Sequence, residues 1–168
     1  GGVTGQIDPL HPVAHALHGV VVETPLIQNV ELNEAARGTV LIKPELFQEI
    51  GSFKIRGAYN LMRQLTAEQA SKGVVAWSSG NHAQGVALAG KLLGIHAAIV
   101  MPGDAPAAKL ENTRQLGGEV ITYDRYTGDR EAIAREIAAE RGIQAHLIDS
   151  VDDIDPTWLS PDSVVLVT

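Results

Sequence analysis

Residues 74–101 read VVAWSSGNHAQGVALAGKLLGIHAAIVM, and this stretch decides the fold class. A short apolar run, Val74–Trp77, is followed by small and apolar residues over 83–93 and then by a second short run, 97–101 (AAIVM). Runs of this length and composition are typical of strands buried on both faces of a parallel sheet. The segment between them is small and apolar almost all round, which predicts a buried helix. Together the three segments predict a βαβ unit.

The same alternation continues in both directions along the chain. Residues 104–116 and 129–141 have helix signals, with Asp104 as the expected N-cap of the first and Gly142 just after the second. Repeated strand–helix units with right-handed crossovers predict an α/β fold, a three-layer, open, mostly parallel sheet with helices on both faces, Rossmann-like in architecture. Short apolar runs predict the further strands 39–43 (TVLIK), Glu119–Tyr123 (EVITY), 145–148 (AHLI) and 163–168 (SVVLVT).

The domain organisation follows from where this alternation begins. Residues 1–38 are less regular and predict an N-terminal arm, whereas residues 39–168 predict a single α/β domain. Within that domain, residues 66–69 (TAEQ) form a capping-box pattern that marks another helix start. The last part, 143–168, predicts a strand, a short helix and a strand that close the sheet.

Composition excludes several classes of protein. Of the 168 residues, 45% are apolar and 20% are charged, which is enough to bury a core. The chain has 20 Asp and Glu against 13 Lys and Arg, a net charge of −7, which argues against nucleic-acid binding. It has no cysteine, which excludes disulfides, thiolate zinc sites and iron–sulfur clusters on this chain. We expect a cytoplasmic protein, since we find neither a signal peptide nor an apolar run of about 18 residues.

Three histidines share a helical spacing near the start of the chain. His11, His15 and His18 would align on one face of a helix, but Pro12 and Gly19 crowd that helix. No carboxylate lies nearby to complete a zinc site. We therefore interpret the three as a solvated face and predict no metal site.

One segment whose residues could take part in a reaction is 51–58 (GSFKIRGA). Lys54 follows Phe53 at the expected start of a helix, where the positive end of the helix dipole disfavours a charge on the lysine. A neutral amine is what attacks a carbonyl group to form a Schiff base. From the spacing alone, the commoner alternative is a solvated surface lysine beside a core phenylalanine.

A second such segment is 78–85 (SSGNHAQG), which follows a predicted strand and opens the buried helix. Ligands bind at the carboxyl ends of strands in open α/β sheets. Backbone N–H groups at a helix start, with Ser78 and Ser79 beside them, suit a carboxylate or a phosphate. The alternative is a polar capping turn without a ligand.

Taken together, these segments resemble the pyridoxal-phosphate enzymes of fold type II, in the threonine dehydratase and serine racemase branch. The resemblance runs continuously over residues 20–142. Enzymes of this fold type that make or use cysteine have a different pattern around the lysine, so SFKIRGAYN favours the dehydratase branch. The matching stretches are ETPL (23–26), KPELFQ (43–48), SFKIRGAYN (52–60), SSGNHAQG (78–85), IVMPGDA (99–105) with Lys109, and GGEV (117–120).

The resemblance implies roles for individual residues. Lys54 would form a Schiff base with the cofactor pyridoxal 5′-phosphate and remove the substrate α-proton. Phe53 would pack near the cofactor ring, and Asn81 would hydrogen-bond its 3′ oxygen. The implied reaction removes the β-hydroxyl of L-threonine or L-serine and gives a 2-keto acid and ammonia. The substrate carboxylate would be bound by Ser78, Ser79, Gly80 and His82, with Ser79 facing the α-carbon opposite the lysine.

The chain departs from this family after Gly142. Relatives place a glycine-rich loop against the cofactor phosphate further along, and no run of glycines follows Gly142 here. Residues 145–168 resemble instead a short stretch of the 4-hydroxy-3-methylbut-2-enyl diphosphate reductase family, without its cluster cysteines. These features suggest a truncated or recombined chain whose closing segment comes from elsewhere.

Two functions therefore stay open. One is a pyridoxal-phosphate-dependent ammonia-lyase that acts on a small amino acid, with Lys54 as its Schiff-base residue. The other is a non-catalytic α/β domain that keeps the motifs without the phosphate loop. We expect the isolated chain to be inactive, and apolar surface left by the absent half could drive homodimer formation. Arg56 would pair either with a carboxylate such as Glu45 or with a ligand anion.

Overall fold

The computed structural model describes residues 12–143. The strands and helix predicted within 144–168 lie outside this range, as does His11. The helices are α1 Pro12–Leu17, α2 Val30–Ala36, α3 Lys54–Met62, α4 Ala67–Lys72, α5 Asn81–Leu93, α6 Ala107–Gln115 and α7 Arg130–Glu140, with a 3₁₀ turn at Glu45–Phe47. The strands are β1 Ile27–Gln28, β2 Leu41–Ile42, β3 Val74–Trp77, β4 Ala97–Pro102 and β5 Glu119–Tyr123.

Strands β3, β4 and β5 form a parallel sheet in that order, as the sequence predicts. Val75 pairs with Ala98, and Ile99 pairs with Val120. Every residue of β3 and β4 is buried. The βαβ unit at 74–101 is therefore the centre of the molecule.

Helices cover both faces of this sheet. On one face, Ala76 and Ile99 pack in a cluster with residues of α3 and α5, including Met62. On the other face, Val75 and Val100 pack in a cluster that includes α7. Neighbouring residues of a strand point to opposite faces, so these two clusters are the two layers of the core. The predicted three-layer α/β architecture is confirmed.

The prediction for residues 39–43 needs a correction. The structure keeps a strand at Leu41–Ile42, but it pairs antiparallel with Ile27–Gln28 in a separate two-stranded sheet. All four paired residues are at least partly exposed. A β-branched run indicates a strand without fixing its partner, because propensity reports local packing rather than sheet order.

The predicted N-cap of α6 is also wrong. The helix begins at Ala107 with Pro106 in the N-cap position, and Asp104 instead pairs with Arg125 at 2.7 Å. A proline disfavours helical backbone at the residue before it, so Ala105 cannot belong to the helix. Asp104 therefore lies too far from the first helical N–H groups to cap them.

Two other helix starts are confirmed in atomic detail. The Asp129 carboxylate accepts hydrogen bonds from the backbone N–H groups of Glu131 and Ala132, at 2.9 and 3.2 Å. Thr66 and Gln69 form the reciprocal capping box, with contacts of 3.2 and 2.9 Å.

Among residues 12–143, no helix combines the length and apolar character needed to cross a bilayer.

Helix α5 lies against the sheet because its contacting residues are small. A Cβ added at Gly90 would lie 2.6 Å from the Ile95 carbonyl oxygen and 3.1 Å from the Ala97 Cβ. Real Cβ atoms do not approach a backbone oxygen so closely. The turn from α5 into β4 therefore requires glycine at position 90.

Gly90→Ala is expected to lower the free energy of unfolding by about 2 kcal/mol, because the added methyl group overpacks the turn into β4. The matched control is Gly57→Ala in α3, where a Cβ meets nothing within 4 Å. Removing that helical glycine should raise stability by about 0.5–1 kcal/mol. Urea unfolding of both variants measures the two effects. Equal effects of the two substitutions would contradict the close contact at Gly90.

Candidate active site

Lys54 is the first residue of α3, and Phe53 occupies the N-cap position. Within the described chain, no side chain caps this helix start and its first turn has no acidic residue. The Lys54 Nζ lies 5.0 Å from the centroid of the Phe53 ring, and that phenylalanine is 39% exposed. The lysine itself is partly buried. Its amine thus lies at the positive end of a helix dipole, beside an accessible aromatic ring.

Helix α5 contacts the backbone of Lys54 at Gly85. A Cβ added at Gly85 would lie 3.1 Å from the Lys54 carbonyl carbon and 3.2 Å from its Cβ. The two helices therefore approach as closely as glycine allows. Gly85 lies about one helical turn after Asn81, the first residue of α5. This contact places Lys54 near the same end of α5 as the loop 78–82.

Residues 78–80 join β3 to α5 at the carboxyl edge of the sheet. Together with the first two residues of α5 they are called the loop 78–82. The Ser78 N–H donates to the Val100 carbonyl at 3.1 Å and continues the strand pairing. The Ser78 Oγ accepts from the Gly80 N–H at 3.2 Å. No side chain of the described residues caps α5, whose first N–H groups suit a carboxylate or another anion.

The structure thus brings the two segments singled out in the sequence to the same end of α5. Ser79 and Asn81 are exposed, as a ligand-binding loop requires, whereas His82 is buried at 6% exposure. Substrate contact by the His82 side chain would therefore need a local change, although its backbone N–H lies in the first turn of α5. The contact between α3 and α5 thus brings the segment with Phe53 and Lys54 to the same end of α5 as the loop residues, which are Ser78, Ser79, Gly80, Asn81 and His82.

Lys109 is a further cation at this loop that the sequence reasoning gave no role. Its Nζ lies 3.9 Å from the position that a Cβ at Gly80 would occupy. An ammonium beside the start of a helix concentrates positive charge, which favours an anion between them. Lys109 falls near the start of the helix that follows β4, so the rule that strand ends meet at one edge could have found it.

An ion pair between the partly buried Arg56 and the buried Glu45 supports the start of α3. The Arg56 Nε and Nη2 donate to the two Glu45 carboxylate oxygens at 2.7 and 2.8 Å. The Thr24 hydroxyl donates to Glu45 Oε1 at 2.6 Å, and the Gln48 amide donates to Oε2 at 3.2 Å. Of the two partners left open for Arg56, the structure gives the carboxylate Glu45. Because Arg56 lies two residues after Lys54, this cluster fixes the helical turn that carries the lysine.

The pKa of Glu45 lies below its ordinary value. Burial, the largest single effect, opposes ionisation of this carboxyl group, whose side chain is only 3% exposed. The hydrogen bonds from Arg56 and Thr24, together with the charges of Arg56 and Lys43, outweigh burial and lower the pKa. Glu45 is therefore ionised at neutral pH.

The donor set fits one end of pyridoxal phosphate. An amine on Lys54, the Phe53 ring and the Asn81 amide suit its aldehyde, its ring and its 3′ oxygen. Residues 12–143 contain no glycine-rich loop that would hold its phosphate, and 143–168 contain no glycine at all. In the described part of the chain, no three His, Asp or Glu side chains come together to hold a metal ion.

Comparisons with known proteins confirm the resemblance to pyridoxal-phosphate enzymes. A family model described as pyridoxal-phosphate dependent enzyme matches residues 18–159, which extends past residue 142 into the tail. An L-threo-3-hydroxyaspartate ammonia-lyase of Saccharomyces cerevisiae is 50% identical over 122 residues, covering 73% of this chain and 37% of that protein. A serine racemase of Schizosaccharomyces pombe is 48% identical over 121 residues, 72% of this chain and 38% of that protein. The resemblance of the tail to the reductase family stays a prediction.

Solved structures give the same result. Maize serine racemase matches with a TM-score of 0.71 and 42% identity, covering 77% of this chain and 40% of that one. Processed threonine deaminase isoform 2 from Solanum lycopersicum matches with a TM-score of 0.69 and 41% identity, covering 79% of this chain and 37% of that one. The chain spans less than half the length of these relatives.

Glu45→Gln is expected to lower the free energy of unfolding at pH 7 by about 3 kcal/mol, because it leaves the partly buried Arg56 guanidinium without its counter-charge. A carboxyl group with a lowered folded-state pKa stabilises the fold above its ordinary pKa, 4.5, and this stabilisation is lost as the pH falls through the folded-state value. The difference from wild type should therefore shrink below about pH 4.5. Denaturant unfolding across pH 3–7 measures it.

The control is Glu49→Gln, which changes an exposed carboxylate on the same segment. That variant should match wild-type stability within about 0.5 kcal/mol at every pH. If the two variants behave alike, the Glu45 cluster does not hold α3.

Proposed function

Because the chain belongs to the family of pyridoxal-phosphate dependent enzymes, we propose that it is the lysine-bearing part of an ammonia-lyase for β-hydroxy amino acids. L-Threonine and L-serine are the expected substrates, and the similarity to hydroxyaspartate ammonia-lyases adds 3-hydroxyaspartate to this set. The contact between Gly85 and Lys54 is the observation that supports the proposal, because the backbone of Lys54 lies against α5 about one turn after a loop suited to a carboxylate.

Lys54 would hold the cofactor covalently through Nζ, with Phe53 against its ring and Asn81 donating to its 3′ oxygen. When bound, pyridoxal phosphate withdraws electron density from the substrate α-carbon and so makes its proton removable. The Lys54 amine would accept that proton. It can do so only as a free amine, because a protonated amine is not a base.

The loop would orient the substrate. Its carboxylate would accept hydrogen bonds from the backbone N–H groups that begin α5 and from the hydroxyls of Ser78 and Ser79. Ser79 is exposed, which supports a role for its hydroxyl in holding a proton on the face of the α-carbon opposite Lys54. Breaking the Cα–H and Cβ–O bonds releases the hydroxyl as water. The product then takes up water and gives a 2-keto acid and ammonia.

A second candidate function is a folded module that keeps these motifs without turnover. Residues 143–168 contain no glycine, so they do not supply the glycine-rich phosphate loop that the resemblance implies, and phosphate contacts fix much of a cofactor's orientation. The proposal also includes a cytoplasmic location and a homodimer. Exposed apolar side chains support self-association, among them Leu26, Val30, Leu46 and Phe47.

Reduction with borohydride in the presence of pyridoxal phosphate is expected to label Lys54 selectively at low cofactor concentration. Mass spectrometry of the modified peptides locates the label, and Lys54→Ala should abolish it. Threonine and serine assays for keto acid then test turnover. Labelling that spreads over Lys43, Lys72, Lys91 and Lys109, and that Lys54→Ala leaves unchanged, would refute a cofactor site.

Gly85→Ala gives an independent check that Lys54 must be positioned as well as present. The added methyl group would press on the Lys54 backbone, so the labelling rate should fall about tenfold although the amine remains. Gly57→Ala, which adds a methyl group in open space on α3, should label at the wild-type rate. Equal rates in all three proteins would show that the α3–α5 contact does not position the lysine.

A further inference from the structure

A buried hydroxyl group lies just before the start of α3 and makes no hydrogen bond. It belongs to Ser52, which is two residues before Lys54 and only 7% exposed. Across residues 12–143, the Ser52 Oγ is the one buried side-chain nitrogen or oxygen without a hydrogen-bond partner. A buried hydroxyl loses its hydrogen bonds to water, so a folded protein normally supplies a replacement.

Two other buried hydroxyl groups of the described chain have such a replacement. The Thr24 hydroxyl donates to the Glu45 carboxylate at 2.6 Å, and the Thr113 hydroxyl donates to the Lys109 carbonyl at 2.8 Å. Burial of these two groups is therefore compensated within the protein. Ser52 differs from them, and its hydroxyl needs a separate explanation.

Capping of α3 does not explain the hydroxyl. Serine is among the residues that most often cap a helix, by accepting from a backbone N–H group of the first turn. Within the described chain no side chain caps α3, and the N-cap position belongs to Phe53, whose backbone angles are helical. The local structure of the helix start therefore does not use the Ser52 hydroxyl.

The segment before Ser52 is fixed, so a loosely held side chain does not explain the hydroxyl either. The Gly51 N–H donates to the Gln48 carbonyl at 2.7 Å. The Gln48 side chain in turn bonds the backbone N–H and carbonyl of Val22, at 3.0 and 2.9 Å. Ser52 thus presents a hydroxyl from a rigid turn, directly before the residues proposed to hold the cofactor.

We propose that Ser52 is a positioning residue for Lys54, and that its hydroxyl gains a hydrogen-bond partner when pyridoxal phosphate attaches to that lysine. The inference rests on the proposed function. The cofactor is rich in hydrogen-bond acceptors, and a serine hydroxyl can both donate and accept. A hydroxyl that is unsatisfied in the free protein and satisfied after attachment favours the loaded state, because the unmet hydrogen bond is costly only in the free protein.

Cofactor attachment to the 168-residue chain tests this role. Ser52→Ala removes the hydroxyl, and Ser52→Cys keeps a small side chain but has only a weak donor. In both variants, the pyridoxal phosphate concentration for half-maximal borohydride labelling of Lys54 should rise about tenfold. Ser52→Thr keeps the hydroxyl and should restore part of the labelling. Ser71→Ala, which changes an exposed serine of α4, should label like wild type.

Urea unfolding without cofactor separates positioning from a structural role. Because the hydroxyl makes no hydrogen bond within the described chain, Ser52→Ala should unfold at a urea concentration no lower than wild type. A structural hydroxyl, bonded for example to a buried water molecule, would instead lower the urea midpoint when removed.

Two results would overturn the proposal. One is labelling of Ser52→Ala at the wild-type cofactor concentration, whatever its stability. The other is weaker labelling that accompanies a lower urea midpoint and that Ser52→Thr does not restore, which would identify a structural hydroxyl. If the wild type itself is not labelled at Lys54, the proposed function fails and this inference fails with it. Selective labelling of the wild type with equal labelling of Ser52→Ala would refute the inference alone.

Discussion

The contact of Gly85 with the Lys54 backbone is the constraint on which the candidate site depends. It sets the distance between α3 and α5, and therefore the distance between the backbone of Lys54 and the loop 78–82. A larger residue at this position would push the two helices apart and separate the two halves of the site. The geometry of the candidate site thus depends on a packing contact between two helices.

The Glu45 cluster complements that contact from the other side of α3. Gly85 fixes the helix against the core, and Arg56 ties its first turns to the 3₁₀ turn at Glu45–Phe47 and to Thr24 in the preceding segment. A buried ion pair contributes little net stability compared with apolar packing, but it is strict about geometry. A helix start held from two sides keeps its lysine in one place.

The sequence predicts those parts of the structure that depend on local pattern. Buried runs such as Val74–Trp77 indicated strands of the parallel sheet, and residues 66–69 indicated a capping box, since both signals act within a few residues. The strand at 41–42 was assigned to the wrong sheet because pairing depends on distant residues. Asp104 was taken for a cap because its pairing with Arg125, 21 residues away, leaves no local signal. Motifs singled out Lys54 and the loop 78–82, and the position of Lys109 after β4 could have singled it out as well, whereas the pairing of Arg125 with Asp104 emerges only from tertiary proximity.

The burial of α5 has a consequence for local motion. Residues 82–90 of this helix are all buried, whereas α2 buries none of its residues within the described chain. Amides of α5 can exchange with solvent only when the whole domain opens, but those of α2 can exchange through local fraying. Slow and fast amide exchange are therefore expected in different helices of the same chain. The loop 78–82 is joined to α5, whose amides we expect to exchange most slowly. Helix α2 can open locally without disturbing that loop.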